Sequence, residues 1–262
     1  MSLHMSFAGQ PLNQAPALVL LHGWGMHSEI WLPLCEHLKE EFALILIDLP
    51  GHGRSTALPE ECSLNALVGQ VHAGLQQAGV TQAVWLGWSL GGVVAMAYAQ
   101  AYRENVTSLI TLCTSPCFVA RTDWAAGMDA DTFTQFSDAF KAMPQKTLQR
   151  FAMLQVQGSG TAKQDLKQLK KLINSVTEPD YAALSKVLEI LEGDYRELYA
   201  TLDQPGFVTH LLCHLDTLAP AAIAEYLHSQ THTRVAVLDE QSHVPMLSAS
   251  ELLAKRIRDC LK

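Results

Sequence analysis

A serine set between two elements that must pack closely constrains this fold more than any other feature. Residues 87–91, Gly-Trp-Ser-Leu-Gly, follow the apolar run 83–86 and precede the helix-like run 92–99. Glycines two before and two after Ser89 let the strand and helix approach, and the sharp turn strains the serine backbone. The Oγ is then exposed at the carboxyl edge of a sheet, beside a helix N-terminus that stabilises negative charge. The pattern predicts a nucleophilic serine.

Short apolar runs alternate with helical patterns along most of the chain. Runs without strict polar alternation suit strands that are buried on both faces. Six runs are strand candidates: 17–21, 42–47, 83–86, 106–113, 207–213 and 233–238. Segment 64–77 carries apolar residues on one helical face, with Ser63 placed to cap its start and Gly79 to end it. This order predicts an α/β fold, with a mostly parallel sheet and helices on both faces.

The alternation stops between Pro116 and about Arg196. The stretch contains four helix-like segments, 131–142, 146–157, 161–174 and 180–192, separated by Pro144, residues 158–160 and Pro179. An all-helical insertion that leaves and rejoins the carboxyl edge of the sheet would lie over Ser89. We therefore expect a core of residues 1–115 and 196–262 and a helical lid of residues 116–195.

Two further helix starts carry the spacing of a capping box, in which two side chains cap each other's backbone N–H groups. The pairs are Thr161 with Gln164 and Ser248 with Glu251. They predict helices that begin directly after Thr161 and Ser248.

The bulk composition argues against several classes of protein. The 262 residues are 48% hydrophobic and 17% charged, with a formal net charge of −8, which argues against a nucleic-acid partner. No apolar run approaches the roughly 20 residues of a membrane span, and the first residues lack a signal-peptide pattern, so no membrane partner is expected. Six scattered cysteines indicate reduced thiols in a cytoplasmic protein. With no metal-ligand cluster and no nucleotide-binding loop in the sequence, we expect neither metal nor cofactor.

Charge is unevenly distributed within the helical stretch. Residues 141–171 contain seven basic side chains and one acidic side chain, Asp165, in a chain whose overall charge is negative. Lys163, Lys167, Lys170 and Lys171 share one helical face by their spacing. A lysine face is usually only solvated, but this concentration beside the expected pocket favours an acidic partner that is steered to it.

A serine nucleophile requires a histidine base that a carboxylate orients. His243 follows the last strand candidate, where the chain returns to the edge that carries Ser89, whereas His22 lies in a turn and is expected to be structural. Asp216 follows the preceding strand candidate. The other possible place for the acid, after the strand that ends near residue 113, offers none before Asp123.

An oxyanion hole needs two backbone N–H groups directed at the developing alkoxide. Leu90, directly after the nucleophile, supplies one at the helix N-terminus. The loop after the first strand candidate, His-Gly-Trp-Gly at 22–25, supplies the second, with the N–H of Trp24 best placed. The Trp24 side chain is then expected to form a wall of the acyl pocket; the alternative is an ordinary core tryptophan.

These segments resemble the α/β-hydrolases and, within them, the pimeloyl-acyl-carrier-protein methyl ester esterases of biotin synthesis. The matching segments are 20–25, 48–55, 85–92 and 115–118, with Arg150-Phe151 and Leu154-Gln155 in the lid and Leu215-Asp216 and Pro220 after it. The order Ser89, Asp216, His243 is also the α/β-hydrolase order. The likeness covers nearly the whole chain from Leu18. Because the stretch before Leu18 is short, the first strand usual in such proteins is expected to be missing or irregular.

The resemblance implies an α/β-hydrolase fold and a catalytic triad of Ser89, Asp216 and His243. The function it implies is that of a serine carboxylesterase, which demethylates a pimeloyl chain tethered to acyl carrier protein and frees the terminal carboxylate and methanol. It also implies substrate contacts from Trp24, Leu90 and residues 151–155, with Phe151 and Gln155 at the ends of that segment. The basic lid residues that would meet an acyl carrier protein are Lys146, Arg150, Lys163, Lys167 and Lys170. The protein is expected to be a monomer.

Two other functions remain open at this point. One is a generic short-chain carboxylesterase or lactonase with the same triad, whose basic lid face is merely solvated. The other is a non-enzymatic ligand-binding homologue, against which the complete triad in this order counts.

Overall fold

The computed structural model describes residues 3–55, 58–176, 179–202, 205–229 and 233–262. Its centre is a seven-stranded sheet in the order β1-β3-β2-β4-β5-β6-β7. The strands are β1 (Met5–Gly9), β2 (Ala17–Leu21), β3 (Ala43–Ile47), β4 (Ala83–Trp88), β5 (Val106–Leu112), β6 (Val208–Cys213) and β7 (Arg234–Leu238). β1 runs antiparallel to β3, and the other neighbouring pairs are parallel. The prediction of an α/β fold with a mostly parallel sheet is confirmed.

A seventh strand precedes the six that the apolar runs predicted. The expectation of a missing or irregular first strand is wrong, because β1 pairs regularly with β3 from Met5 opposite Ile47 to Gly9 opposite Ala43. The sequence of β1, Met-Ser-Phe-Ala-Gly, is not a continuous apolar run. β1 lies at the edge of the sheet with half-buried and exposed side chains, so it needs no such run.

Helices cover both faces of the sheet. Successive side chains of a strand point to opposite faces, so β2 sends Val19 and Leu21 into one apolar core and Leu18 and Leu20 into the other. One core is closed by α2 (Leu64–Gln77) and α3 (Leu90–Ala101), the other by α1 (Leu32–Leu38) and α11 (Ser250–Cys260). The described part also contains α9 (Ile223–Ser229), α10 (Pro245–Ser248) and short 3₁₀ turns at Ser28–Trp31 and Arg103–Asn105.

In the described part of the chain, five helices lie in the connection between β5 and β6, which we call the helical insertion. They are α4 (Ala130–Ala142), α5 (Pro144–Gln155), α6 (Ala162–Ser175), α7 (Tyr181–Ile190) and α8 (Arg196–Thr201). The first four match the four predicted segments. The two ends of segment 116–195, which carries α4 to α7, lie together, because Cys117 forms a β-bridge with Asp194 and the Tyr195 N–H donates to the Pro116 carbonyl at 2.8 Å.

Only part of the predicted capping chemistry is present. Ser63 Oγ accepts the Ala66 N–H at the start of α2, as expected. Thr161 is the residue before α6, but its Oγ1 donates to Asp165 Oδ2 at 2.6 Å instead of accepting a backbone N–H. Thr161 is therefore at the predicted position without the predicted cap.

The capping box predicted at Ser248 is wrong. Ser248 ends α10, and its Oγ donates to Gln241 Oε1 at 2.7 Å. The short helix α10 delays the start of α11 to Ser250. None of the helices in the described residues has both the length and the apolar character that a membrane crossing requires.

Candidate active site

Ser89 occupies a one-residue turn between β4 and α3. β4 ends at Trp88 and α3 begins at Leu90. Ser89 has a φ of 55° and a ψ of −120°, a strained backbone conformation for a residue with a Cβ. Its N–H donates to the Leu112 carbonyl at 2.9 Å, which joins the turn to the end of β5.

Glycines on both sides of Ser89 make this turn possible. A Cβ on Gly87 would overlap the Gly91 carbonyl, and a Cβ on Gly91 would overlap the Leu21 carbonyl. A Cβ built on Gly23 would lie 3.1 Å from the Ser89 Cβ. The loop that carries Gly23 and Trp24 therefore lies directly beside the serine.

The two residues predicted to supply oxyanion N–H groups belong to the segments that touch Ser89. Leu90 is the first residue of α3, and the first N–H groups of a helix have no partner within it. Trp24 directly follows Gly23, the residue packed against the serine. The N-terminal end of α3 also carries partial positive charge, which favours an anion at this position.

His22 holds the loop that leads to Trp24. Its Nε2 accepts the Leu49 N–H at 2.9 Å, and its Nδ1 donates to the Gly23 carbonyl at 2.8 Å. Burial lowers the pKa of His22 to about 4, so the ring stays neutral, as this pair of bonds requires. His22 thus has the structural part in this turn that the sequence predicted.

His243 and Asp216 are hydrogen-bonded and buried. His243 Nδ1 donates to Asp216 Oδ2 at 2.7 Å. The other carboxylate oxygen, Oδ1, accepts the N–H groups of Leu218 at 2.8 Å and Ala219 at 3.1 Å. With three donors the carboxylate has one orientation, and it directs the imidazole Nε2 away from itself.

The backbone of His243 is attached both to the serine turn and to the helical insertion. Its carbonyl accepts the Trp88 Nε1–H at 2.8 Å, and its N–H donates to the Gln155 carbonyl at 3.1 Å. The Trp88 and His243 rings lie 5.3 Å apart. Among the described residues, no hydrogen bond joins Ser89 Oγ to His243 Nε2; such bonds are often long in proteins without substrate.

The other possible acid lies elsewhere. Asp123 forms an ion pair with Arg196 at 2.9 Å. It therefore binds a different partner, and Asp216 is the carboxylate that contacts His243.

In the described part of the chain, potential metal ligands come together at Cys113, Asp216 and His243. Their ligand atoms lie within 4.8 Å of one another, and all three residues are buried. Burial, followed by the neighbouring Cys213 and Asp216, raises the pKa of the Cys113 thiol well above its ordinary value. Because the thiolate is the metal-binding form and Asp216 already accepts from His243, this set fits a cation poorly.

Ser89 lines a small apolar pocket of about 40 Å³. The pocket lies between the sheet edge and the helical insertion. Its lining consists of Trp24, Ser89, Phe118, Met128, Phe133, Phe136, Phe151, Leu188, Leu191 and Leu218. A lining with one hydroxyl and otherwise apolar side chains suits an uncharged acyl or alkyl group.

Trp24 forms one wall of this pocket. Its indole Nε1–H donates to the Leu184 carbonyl at 2.8 Å, which fixes the ring against α7. Phe140, Phe151 and Phe136 contact it edge-on, with ring centroids 5.0, 5.4 and 5.7 Å away. Trp24 is therefore both a buried tryptophan and a pocket wall.

The predicted substrate segment 151–155 does not face the pocket uniformly. Phe151 lines the pocket, whereas Met153 and Leu154 are exposed. Gln155 is buried and accepts from His243 through its backbone, while its side-chain amide has no hydrogen-bond partner in the described structure.

Most of the pocket lining was missing from the sequence prediction. Phe133 and Phe136 come from α4, Leu188 and Leu191 from the end of α7, and Leu218 from the loop after Asp216. The spacing of aromatic residues at 133, 136 and 140 on one face of α4 was an available signal. Nothing in that spacing says that the face meets Trp24 rather than another helix.

The basic residues predicted to meet a carrier protein lie on α5 and α6. Lys146, Arg150, Lys163 and Lys167 are exposed, and Lys170 is half-buried. None of them forms an ion pair with a residue that the structure describes. Their charges therefore face solvent.

Comparison with known proteins places this geometry in a family. The profile of the α/β hydrolase fold family matches residues 16–152. The pimeloyl-[acyl-carrier protein] methyl ester esterase of Yersinia enterocolitica is 37% identical over 92% of this chain and 92% of its own. The esterase of that name from Shewanella woodyi is 36% identical over 99% and 98% of the two chains.

Solved structures share the fold at low sequence identity. The enol-lactonase from Burkholderia xenovorans aligns with a TM-score of 0.86 and 18% identity, over 99% of this chain and 96% of that one. A bromoperoxidase from Bacillus anthracis gives 0.87 and 16%, over 99% and 95%. Taken with the curated relatives, these likenesses show that the chain belongs to the α/β hydrolases and, within them, to the family of pimeloyl-[acyl-carrier protein] methyl ester esterases.

Proposed function

We propose that this protein is a serine carboxylesterase that hydrolyses the methyl ester of a pimeloyl chain attached to acyl carrier protein, giving the free acid and methanol. The observation that carries the proposal is the bond of 2.7 Å between His243 Nδ1 and Asp216 Oδ2 beside the strained Ser89 turn. The names of the curated relatives support the choice of ester.

In the proposed reaction, Ser89 Oγ attacks the ester carbonyl while His243 Nε2 accepts its proton. Asp216 holds the Nδ1–H and stabilises the imidazolium that forms. The N–H groups of Leu90 and Trp24 stabilise the oxyanion. His243 then returns the proton to the leaving methoxide, and methanol departs. Water, deprotonated by His243, then attacks the acyl-serine carbonyl. The acyl–Oγ bond breaks, His243 returns the proton to Ser89 Oγ, and the free acid leaves.

Residues 116–195 act as a lid over this site, with the core formed by residues 1–115 and 196–262. Support comes from the pocket lining, to which α4, α5 and α7 contribute. We expect the ring side chains that border this pocket of about 40 Å³ to move apart as the ester reaches Ser89.

The acyl carrier protein docks on the basic residues of the lid: Lys146, Arg150, Lys163, Lys167 and Lys170. Their free charges on a protein of net charge −8 support this role. An acidic partner is steered to such a patch, and the patch sets its orientation. We also propose a cytoplasmic, monomeric enzyme that uses neither metal nor cofactor; free cysteines are consistent with a reducing compartment.

The direct test compares methyl pimeloyl-acyl carrier protein with a short nitrophenyl ester as substrates of the purified protein. We expect the carrier-bound ester to have the higher kcat/KM. The triple variant Lys163→Glu, Lys167→Glu, Lys170→Glu should raise KM for the carrier-bound ester by about threefold or more, because repulsion slows association. The double variant Lys255→Glu, Arg256→Glu, at two exposed residues of α11, is the control for charge reversal outside the lid.

Equal use of both esters, with no effect of the charge reversal, would favour a generic carboxylesterase or lactonase. The uncharged pocket lining is the observation that supports this second function. A third outcome, no ester hydrolysis and no labelling of Ser89 by a fluorophosphonate, would indicate a ligand-binding homologue.

A further inference from the structure

Cys113 lies in the short segment that holds the serine turn. It directly follows β5, and its N–H donates to the Leu211 carbonyl of β6 at 2.8 Å. The residues on either side of it contact Ser89: the Leu112 carbonyl accepts the Ser89 N–H at 2.9 Å, and Thr114 Oγ1 donates to the Ser89 carbonyl at 3.2 Å. The backbone of Cys113 is therefore fixed by the same contacts that fix the nucleophile.

The backbone of Cys113 is also strained. Its φ of 49° lies in the left-handed region, which residues with a Cβ rarely adopt. In the described part of the chain, the other residues with a Cβ and a positive φ are Ser89 and Glu240. Strain of this kind is typical of functional positions, where the surrounding structure offsets its cost. It indicates that the side chain of Cys113 has a part in the site.

The Cys113 side chain lies against the acid and the base of the triad. Its Sγ, a carboxylate oxygen of Asp216 and a ring nitrogen of His243 lie within 4.8 Å of one another, and all three residues are buried. Burial raises the pKa of the thiol well above its ordinary value, and hydrogen bonding to Cys213 and Asp216 raises it further. The sulfur therefore keeps its proton and is available as a donor.

The Asp216 carboxylate has room for one more donor. Oδ1 accepts the N–H groups of Leu218 and Ala219, whereas Oδ2, among the described residues, accepts the Nδ1–H of His243 alone. An ionised carboxylate offers about four lone-pair sites. The Asp216 side chain has no exposed surface, so solvent does not reach the remaining site. Since a buried charge is stabilised by each donor it receives, a thiol at this position is favourable.

We propose that Cys113 is a positioning residue of the triad, whose thiol donates to the Asp216 carboxylate and helps to hold it ionised and directed at His243. This inference rests on the proposed function and adds a residue to the group that orients the base. Of its two neighbours, the S–H favours the carboxylate over the sulfur of Cys213, because hydrogen bonds to an ionised acceptor are the stronger ones.

The kinetic test compares three single variants of the full-length protein with a short nitrophenyl ester as substrate. Cys113→Ala removes the donor, whereas Cys113→Ser keeps one. We expect Cys113→Ala to lower kcat about fivefold with little change in KM, because the lost hydrogen bond supports the charge that stabilises the imidazolium. Cys113→Ser should recover most of that loss.

Cys213→Ala is the matched control. Cys213 is as buried as Cys113 and ends the neighbouring strand β6, but it lies outside the group that Cys113 forms with Asp216 and His243. Its substitution removes the same thiol from the same depth, so kcat should stay near that of wild type. Equal losses of kcat in Cys113→Ala and Cys213→Ala would show that the thiols only fill space and would overturn the inference.

Nuclear magnetic resonance tests the contact without turnover. In protein with isotope-labelled histidine, the Nδ1–H proton of His243, bonded to Asp216, should give a signal at low field. Cys113→Ala should move this signal, because the carboxylate then has one donor fewer. Cys113→Ser should return it towards the wild-type position, and Cys213→Ala should leave it in place.

The two measurements separate this inference from the proposed function. If wild type hydrolyses the ester and Cys113→Ala keeps its kcat, or Cys113→Ser loses as much as Cys113→Ala, the inference is wrong and the proposed function stands. If wild type hydrolyses no ester, the proposed function is wrong, and the His243 signal still tests the thiol. An unmoved signal in Cys113→Ala would overturn the inference in either case.

Discussion

The edge of the sheet and the helical insertion position their side chains by different means. At the edge, Ser89 is fixed through its N–H to Leu112, and His243 is fixed on both sides of its backbone and through Nδ1. Over the pocket, Phe136 and Phe151 are held by ring contacts with Trp24. Hydrogen bonds are directional, whereas apolar packing allows rings to rearrange. The reacting groups are therefore fixed, while access to them depends on side chains that can move.

The largest expected effect comes from removing the nucleophile. Ser89→Ala should lower kcat by about 10³-fold or more, because no other group at the turn can form the acyl intermediate. The melting temperature should stay close to that of wild type, since the serine makes its described hydrogen bonds through its backbone. Ser175→Ala, on the insertion, is the control. Near-normal turnover by Ser89→Ala would contradict the assignment of the nucleophile to this edge of the sheet.

Asp216→Asn tests how much of the activity depends on orientation at the sheet edge. An asparagine can accept the Nδ1–H of His243, but it lacks the negative charge that stabilises the imidazolium. We therefore expect kcat to fall about 10²- to 10³-fold. Asp123→Asn is the matched control, because its carboxylate pairs with Arg196. Equal effects of the two substitutions on steady-state kcat would contradict the assignment of the acid.

Acid should lower the free energy of unfolding more through a buried histidine of the sheet than through an exposed one. His210 on β6 shares a hydrogen bond of 2.7 Å with Thr111 Oγ1, and burial lowers its pKa to about 3. Because the unfolded chain binds the proton near pH 6.5, this residue leaves stability unchanged above that pH. It lowers the free energy of unfolding by about 1.4 kcal/mol per pH unit from about pH 6 to 4.

Urea unfolding at pH 7.5 and 5 measures this effect. His210→Gln should lose less stability between the two pH values than wild type does, whatever its stability at pH 7.5. His228→Gln, an exposed histidine, should keep the wild-type pH dependence. A His210 variant with an unchanged pH dependence would show that its ring is not held neutral.

The smallest effect is expected at the pocket wall, where the side chains can move. Phe136→Ala removes a ring that contacts both Trp24 and Phe151. We expect a loss of about 1–3 kcal/mol in the free energy of unfolding, and a rise in kcat/KM for octanoyl relative to butyryl nitrophenyl esters. Phe7→Ala, an exposed phenylalanine on β1, should change neither. An unchanged chain-length ratio in Phe136→Ala would mean that the ring does not limit access.

The same division governs what the sequence could predict. Ser89 and Asp216 follow the fully buried strands β4 and β6, and His243 follows the partly buried strand β7. The parallel sheet brings the carboxyl ends of these strands to one edge. Local pattern therefore sufficed to select them. β1 was not predicted, because an edge strand does not require a continuous apolar run. The cap predicted at Ser248 was wrong because the short helix α10 precedes α11.

The pocket could not be read from the sequence in the same way. Phe133, Leu188 and Leu218 lie far apart in the chain and meet only through the packing of α4, α7 and the loop after β6. Their apolar character predicts burial but not a common neighbour. The helices of the insertion were predictable one by one, while their arrangement over Ser89 depends on tertiary contacts.

The β-bridge between Cys117 and Asp194, with the bond from Tyr195 to Pro116, has a consequence for how such chains diverge. Because the two ends of segment 116–195 lie together, residues can be added or removed between them without moving β5 or β6. Lengthening a connection whose ends are already joined costs little extra loop entropy. The chain can therefore acquire a different cover, and with it different partners, while the reacting groups stay where they are.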